Sequence, residues 1–397
     1  MKKVLAITLS LAMTLLLCVG CGGGSKDFEI TDGTIKIGVF EPASGMNGAG
    51  GKQEMLGMQY AHDLQPTVTV GGEEYDVELV YADNESDNSK AVTAAETLVS
   101  ENSSIILGSY GSGVSIAAGP TFSDAGIPAL GVSCTNQQVT SDCDVYSRIC
   151  FLDPFQGQVL AQYAWDAGYK KAYTLSQLGD DYSVNLAGCF KTSFEELGGT
   201  VVSEEQFPEK NSDFTSYIAN AKKAGAEVFF SPVSIESAML IIDQANAQDI
   251  GMPILAGDTW DSNKVAESAK GTNLDVTCST FYAGDKSADF DNAIKAWINE
   301  DNERKTNNGD VKGIDTQIAA VTALGYDAYN VALEAIKAAD SANPADILTA
   351  LPSVEYTGVT GAVKFNETGD VDKDTCILKK IDTASAVWKF FKDQSAK

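Results

Sequence analysis

The sequence predicts an α/β protein of two similar Rossmann-like lobes, each with a parallel central sheet. Three observations lead there. Short apolar runs rich in Val, Ile and Phe alternate with stretches of helix length, the pattern of parallel β-α-β units. That series runs once through residues 34–130 and begins again at residue 172. The length, 397 residues, suffices for two or more domains with sizeable cores.

In the first series, Ile35, Ile37, Val39 and Phe40 make residues 34–40 a buried strand. Residues 44–51 are rich in Gly, Ser and Asn and read as a loop, with a helix near 53–64. A strand at 77–81 precedes a helix that Asp87 or Ser89 can cap and that ends near residue 100. Residues 104–107 form a strand, the Gly/Ser loop 108–113 opens a helix to about residue 124, and 127–130 is a strand again. The second series has strands at 172–175, 201–207, 228–230 and 253–256, with helices at 182–197, 212–223 and 234–247 between them. Asp213 stands near a positive helix N-terminus. A strand at 276–282 and a helix near 289–302 follow, then a polar loop through residue 310 and a long helix over 315–339. The tail reads as two short strands, 361–365 and 376–381, joined by the turn-rich segment Asn366-Glu367-Thr368-Gly369-Asp370.

Composition excludes several functions. Lys and Arg number 28 against 55 Asp and Glu, a formal charge of −27. Nucleic-acid binding needs clustered cations that displace counterions, so no nucleic-acid partner is expected. A single histidine, His62, argues against His-rich metal sites and against a Ser-His-Asp hydrolase. Asp83, Glu85 and Asp87 alternate like the start of an EF-hand, but the sixth position lacks glycine and Ala94 fills the twelfth. No metal, cofactor or enzymatic activity is expected.

The N-terminus reads as an address. Lys2 and Lys3 precede an apolar run over residues 4–19, a secretory signal shorter than the ~20 residues that span a bilayer. Cys18-Val19-Gly20-Cys21 resembles a bacterial lipobox, with Cys21 as the lipidated first residue after removal of residues 1–20. Cys18 departs from the Leu that is commoner there. Residues 21–33 would be a flexible tether. The chain is thus expected to be exported by a bacterium and lipid-anchored to its membrane. Six cysteines follow Cys21, without C-x-x-C spacing. A local bridge among Cys134, Cys143 and Cys150 and a set of small buried thiols are both compatible with that spacing.

Gly108-Ser109-Tyr110-Gly111-Ser112-Gly113 follows a strand and enters a helix, so it aims backbone N–H groups and the Ser112 hydroxyl at the carboxyl end of the sheet. It lacks the Lys-Ser/Thr of a P-loop, the Rossmann glycine spacing and the glycines of a nucleophile elbow. A small anion such as a carboxylate fits it. The next strand ends in Gly131-Val132-Ser133-Cys134-Thr135-Asn136, which places Ser133 and Thr135 beside Ser112 at neighbouring strand ends. The second series offers the opposite character: Asp180-Asp181-Tyr182 follows one strand and Asp258-Thr259-Trp260-Asp261 another. These groups suit an ammonium, with Asp261 or Ser262 also capping the next helix.

These segments, with Ile35-Lys36-Ile37-Gly38-Val39-Phe40, Ser44-Gly45, Asp83-Asn84-Glu85-Ser86-Asp87 and Arg148-Ile149-Cys150-Phe151-Leu152-Asp153-Pro154-Phe155-Gln156-Gly157, resemble in order and spacing the type I periplasmic binding proteins of the branched-chain amino acid (Leu/Ile/Val) class. The resemblance spans nearly all of the chain after the signal. It implies a solute receptor of an ABC importer that binds an amino acid between two lobes and delivers it to a membrane permease. It implies a three-stranded hinge near residues 149–153, 277–282 and 356–360, with lobe 1 formed by 34–150 plus 282–356 and lobe 2 by 151–281 plus 357–397. A monomer is expected. By resemblance, Ser112 and Thr135 would hold the ligand α-carboxylate, and the Ser133 carbonyl, Tyr182 and Asp258 its ammonium. Two aromatic positions of the family fall on Val233 and near Gly50 here, so Tyr110 and Trp260 are candidates for a remodelled side-chain pocket. Alternatives are an amide, urea or aromatic-acid receptor of the same fold, or a sensory module acting through a partner receptor.

Overall fold

Two open sheets carry the fold, in a computed structural model that describes residues 28, 30, 32–308 and 316–396. The signal segment, Cys21 and most of the tether lie outside the described residues. The first sheet is built from β1 (Thr34–Glu41), β2 (Thr67–Val70), β3 (Glu73–Asp83), β4 (Ile105–Leu107), β5 (Ala129–Gly131) and β6 (Tyr146–Arg148). Its order is β2-β3-β1-β4-β5-β6, parallel except for β2. Between these strands run α1 (Gly48–Leu64), α2 (Asn88–Ser100), α3 (Ser112–Ala125) and the single turn α4 (Gln138–Ser141).

The second sheet follows α5 (Asp153–Asp166). It contains β7 (Lys171–Gln177), β8 (Thr200–Phe207), β9 (Val228–Phe230), β10 (Ile254–Ala256) and β11 (Val276–Thr280), connected by α6 (Asp181–Glu196), α7 (Thr215–Ala224), α8 (Ile235–Ala247) and α9 (Asn263–Ser268). The chain then returns to the first lobe through α10 (Ala288–Asn299), α11 (Asn302–Asn308), α12 (Ala320–Ala339), α13 (Pro344–Ala350) and the hairpin β12 (Glu355–Gly358) and β13 (Gly361–Lys364). It ends as β14 (Thr375–Asp382) and β15 (Val387–Ser395), which complete the second sheet in the order β15-β14-β11-β10-β9-β7-β8.

The β-α-β reading therefore holds, because buried strands and helix caps are local signals. Asp87 and Ser234 cap α2 and α8, and Asp213 accepts from the Thr215 amide beside α7. One boundary differs, and three open points are decided. The glycine stretch expected as loop begins α1 at Gly48; its glycines permit close packing, since a Cβ at Gly51 would lie 2.2 Å from the Pro42 carbonyl oxygen. The tail strands β13 and β14 do not pair: β13 joins β12, and β14 joins β11 and β15. The turn between them docks on the first lobe instead, where the Arg148 amide donates to the Gly369 carbonyl at 2.8 Å. Asp261 caps nothing, because it pairs with Lys379 at 2.8 Å; Ser262 caps α9. The local bridge allowed among Cys134, Cys143 and Cys150 is absent, and all six described cysteines are free thiols.

Burial of helices on both faces of the sheets supplies the cores. The crossing of α1 and α12 is close, because Gly57 and Gly325 leave room where a Cβ would meet the Thr322 and Glu54 carbonyls at 1.8 and 2.1 Å. That crossing sets the position of Gly50 and Glu54 on α1. No helix of the described residues is long and apolar enough to cross a membrane.

Candidate functional site

A cavity of about 820 Å³ opens between the two lobes, where the N-terminus of α3 faces the N-terminus of α6. Tyr110, Ser112, Tyr182 and Thr259 are in its wall. Asp258, Ser133, Thr135 and Trp260 are buried and do not line it.

On the first lobe, Ser112 is the first residue of α3, and its Oγ accepts from the Asn136 amide at 3.2 Å. The first amides of α3 have no acceptor within the helix and leave a positive terminus. The preceding loop has fewer open donors than its composition predicts. The Tyr110 amide donates to Glu41 Oε2 at 2.9 Å, and the Ser109 amide to Ser115 Oγ at 3.4 Å. Ser133 Oγ donates to Glu54 Oε2. Thr135 is fully buried, and its carbonyl accepts the Asp153 amide at 2.9 Å. The end of β6 supports this segment: buried Arg148 donates to the carbonyls of Cys134 and Asn136 at 2.8 and 2.5 Å and pairs with Asp370 at 2.6 Å.

On the second lobe, Tyr182 Oη donates to Asp258 Oδ1 at 2.9 Å, and Gln156 Nε2 to the same oxygen at 2.8 Å. Gly257 makes the first contact possible, because a Cβ there would lie 2.1 Å from the Tyr182 hydroxyl. Burial pushes the Asp258 carboxyl up to about 6, against the hydrogen bonds from Gln156 and Tyr182 that lower it. Trp260 packs in the core of the second lobe. Tyr110 instead rests on Gly50, where a Cβ would meet its ring at 2.3 Å, and against Ala319 and Val321.

Sequence reasoning missed four groups that the fold brings here. Glu41 ends β1 and is 1% exposed. Glu54 lies one helical turn beyond Gly50 and is 0% exposed. Their carboxyls interact with one another; burial raises Glu54 to about 7, and burial with the Glu54 charge holds Glu41 well above the usual carboxylate range. Asp153, at the start of α5, is raised to about 7 by burial. Gln156, one turn on, orients Asp258. The strand-end rule finds Glu41; nothing local marks Glu54, which reads as an ordinary helix glutamate.

The cavity is strongly acidic. Glu85, Asp87, Asp180, Asp181, Glu209 and Glu236 line it, with Lys210 as its one lysine or arginine. Clefts of one sign concentrate the opposite charge, so this one attracts cations and resists anions. The Asp181 carboxylate itself approaches the start of α3, close enough that a Cβ on Gly113 would lie 2.7 Å away. Among the described residues no group of His, Cys, Asp and Glu is arranged to hold a metal.

The family model described as "Periplasmic binding protein" matches residues 34–380. The chain is 26% identical over 340 residues to "Leu/Ile/Val-binding protein homolog 1" of Brucella suis biovar 1 (strain 1330), covering 85% of this chain and 87% of the relative. Among solved structures, it matches the leucine binding protein LivK of Thermotoga maritima MSB8 with TM-score 0.78 and 29% identity, covering 91% of this chain and 99% of that one. A solute binding protein of an ABC transporter from R. palustris, in complex with benzoate, matches with TM-score 0.78 at 18% identity, covering 92% and 98%, a likeness of fold.

Proposed function

The chain belongs to the periplasmic binding protein family, and from that premise we propose that it is the extracytoplasmic receptor of an ABC importer that binds an amino acid between its lobes. The family's function is to bind solutes and not to catalyse a reaction. The observation that carries the ligand class is Asp258, buried, uncompensated by any described cation and held by Tyr182 and Gln156 beside the interlobe cavity.

The mechanism is desolvation matched by complementary charge. A zwitterion entering a closed cleft loses hydration at both ends, and an unmet charge costs several kcal/mol. Ser112, Thr135 and the first amides of α3 answer the carboxylate. Asp258 and Tyr182 answer the ammonium from across the cleft, with the Ser133 carbonyl on the first lobe. A ligand that touches both lobes shifts the open–closed equilibrium by its differential affinity. The hinge is then the three passages between the sheets. The closed form docks on a membrane permease, and a lipid on Cys21 keeps the monomeric receptor near it.

An aromatic acid is the second reading, supported by the benzoate-bound neighbour of the same fold. The six carboxyl-bearing residues of the cavity wall weigh against a purely anionic ligand. Thermal unfolding with the common amino acids, urea and benzoate separates the two readings, since a bound ligand raises the unfolding temperature by mass action. A shift with benzoate and none with any amino acid would overturn the amino acid reading.

A further inference from the structure

We propose that the ligand of this cleft carries a second amino group, as a diamino acid does, and that the Glu54–Glu41 pair receives it. The inference rests on the cleft being an amino acid site and names the ligand class within it.

Glu41, Glu54 and Asp258 are all buried, and among the described residues no lysine or arginine pairs with any of them. The two buried cations in this part of the molecule are committed elsewhere, Arg148 to Asp370 and Lys379 to Asp261. Buried carboxylates without a cation are costly. Hydrogen-bond donors are short as well. Glu41 Oε1, Glu54 Oε1 and Gln156 Oε1 have no donor in the structure. The first two can share a proton. Gln156 is different, because an amide carbonyl cannot relieve itself by protonation. Its amide nitrogen is spent on Asp258 and Ser279, so its free oxygen asks for a donor beside Asp258.

One ammonium brings three donors and one positive charge. Placed at Asp258 and Gln156 it answers the second lobe only. The Glu54–Glu41 pair belongs to the first lobe, on α1 and β1, and stays without a cation. Both carboxyls are tied to residues of the proposed site: the Ser133 hydroxyl donates to Glu54, and the Tyr110 amide donates to Glu41. Tyr110 lines the cavity and packs on Gly50, one turn from Glu54. Ser133 Oγ fixes Glu54 from the other side. The acidic wall adds long-range attraction for a ligand of net positive charge.

Isothermal titration of the purified protein at pH 7.5 with L-ornithine, L-lysine and L-leucine tests this. The expected result is that ornithine or lysine binds at least tenfold more tightly than leucine. Glu54→Gln should reduce that diamino acid's affinity at least tenfold more than it reduces leucine's, and Glu54→Asp should retain the preference. A preference below tenfold overturns the proposal and leaves the amino acid reading standing. Binding of none of the three overturns both. Equal losses for leucine and the diamino acid in a folded Glu54→Gln also overturn it. Should that variant fail to fold, the wild-type ranking decides alone.

Discussion

Asn136 Nδ2 donates to the Asp181 carbonyl oxygen at 2.9 Å, a hydrogen bond that ties the strand-end loop of the first lobe to the first turn of α6 in the second. Gln137 and Asn185 exchange amide contacts beside it, at 2.8 and 3.3 Å. The same Asn136 presents its backbone amide to Ser112 Oγ. Lobe contact and the serine proposed for the carboxylate are therefore mechanically connected. Asn136→Ala removes about one net hydrogen bond, ~1 kcal/mol, from the arrangement in which the lobes touch. A ligand that needs that arrangement should bind about fivefold more weakly, because ~1.4 kcal/mol is tenfold. Titration of the variant with the ligand found by thermal screening measures it; an affinity equal to wild type would detach this contact from closure.

Asp258→Ala should lower affinity for the ligand at least tenfold in a folded protein. It removes the negative charge to which Tyr182 and Gln156 donate. Ser112→Ala should cost less, because the first amides of α3 remain to meet a carboxylate. Calorimetry on both variants ranks them, and a larger loss at Ser112 would reverse the assignment of the stronger anchor.

The buried acids also predict how the protein responds to pH. Asp258, at about 6, and Glu54 and Asp153, at about 7, ionise later in the folded chain than in the unfolded one. The folded state then holds more protons between about pH 4 and 7, so these groups make the unliganded protein less stable as pH rises through that window. Ligand binding has the opposite sign, since an ammonium pairs with the ionised carboxylate. Affinity should rise from pH 5 to pH 8 as Asp258, which faces Tyr182 and Gln156, and Glu54, which faces Glu41, lose their protons. Titrations at both pH values read this out, and an affinity that falls across the window would contradict ammonium recognition.

Asp370→Ala should destabilise the chain by about 3–5 kcal/mol, the cost of leaving a buried charge without its partner. Arg148 is 0% exposed and pairs with that carboxylate across 222 residues of sequence. Denaturant unfolding measures the loss. A change near zero would mean that water or another acid replaces Asp370.

Cys21→Ser tests the anchor. The wild-type chain expressed in a bacterium with lipoprotein processing should partition into detergent, and the variant into the aqueous phase. Identical partitioning would remove the lipid.

The fold was largely legible because its signals are local. Val/Ile/Phe runs mark the parallel strands, and Asp87, Ser234 and Ser262 cap helices within three residues of themselves. Where pairing partners are distant, the sequence is silent: a turn joins β13 and β14, yet each pairs elsewhere. The site divides in the same way. Ser112 and Asp258 were found at strand ends, where parallel sheets expose backbone and side-chain groups. Trp260, chosen for its aromatic ring, faces the core, and Glu54, which nothing local marks, is buried because α12 crosses over α1 at its glycines.

The sequence by itself determined the two α/β series and the strand-end groups, since period, caps and turns act over a few residues. Only the tertiary structure decided that Glu41 and Glu54, from β1 and α1, come together in one desolvated place, and Gln156 and Asp258, from α5 and the turn after β10, in another. Burial and charge pairing depend on which surfaces meet, and no local pattern records that.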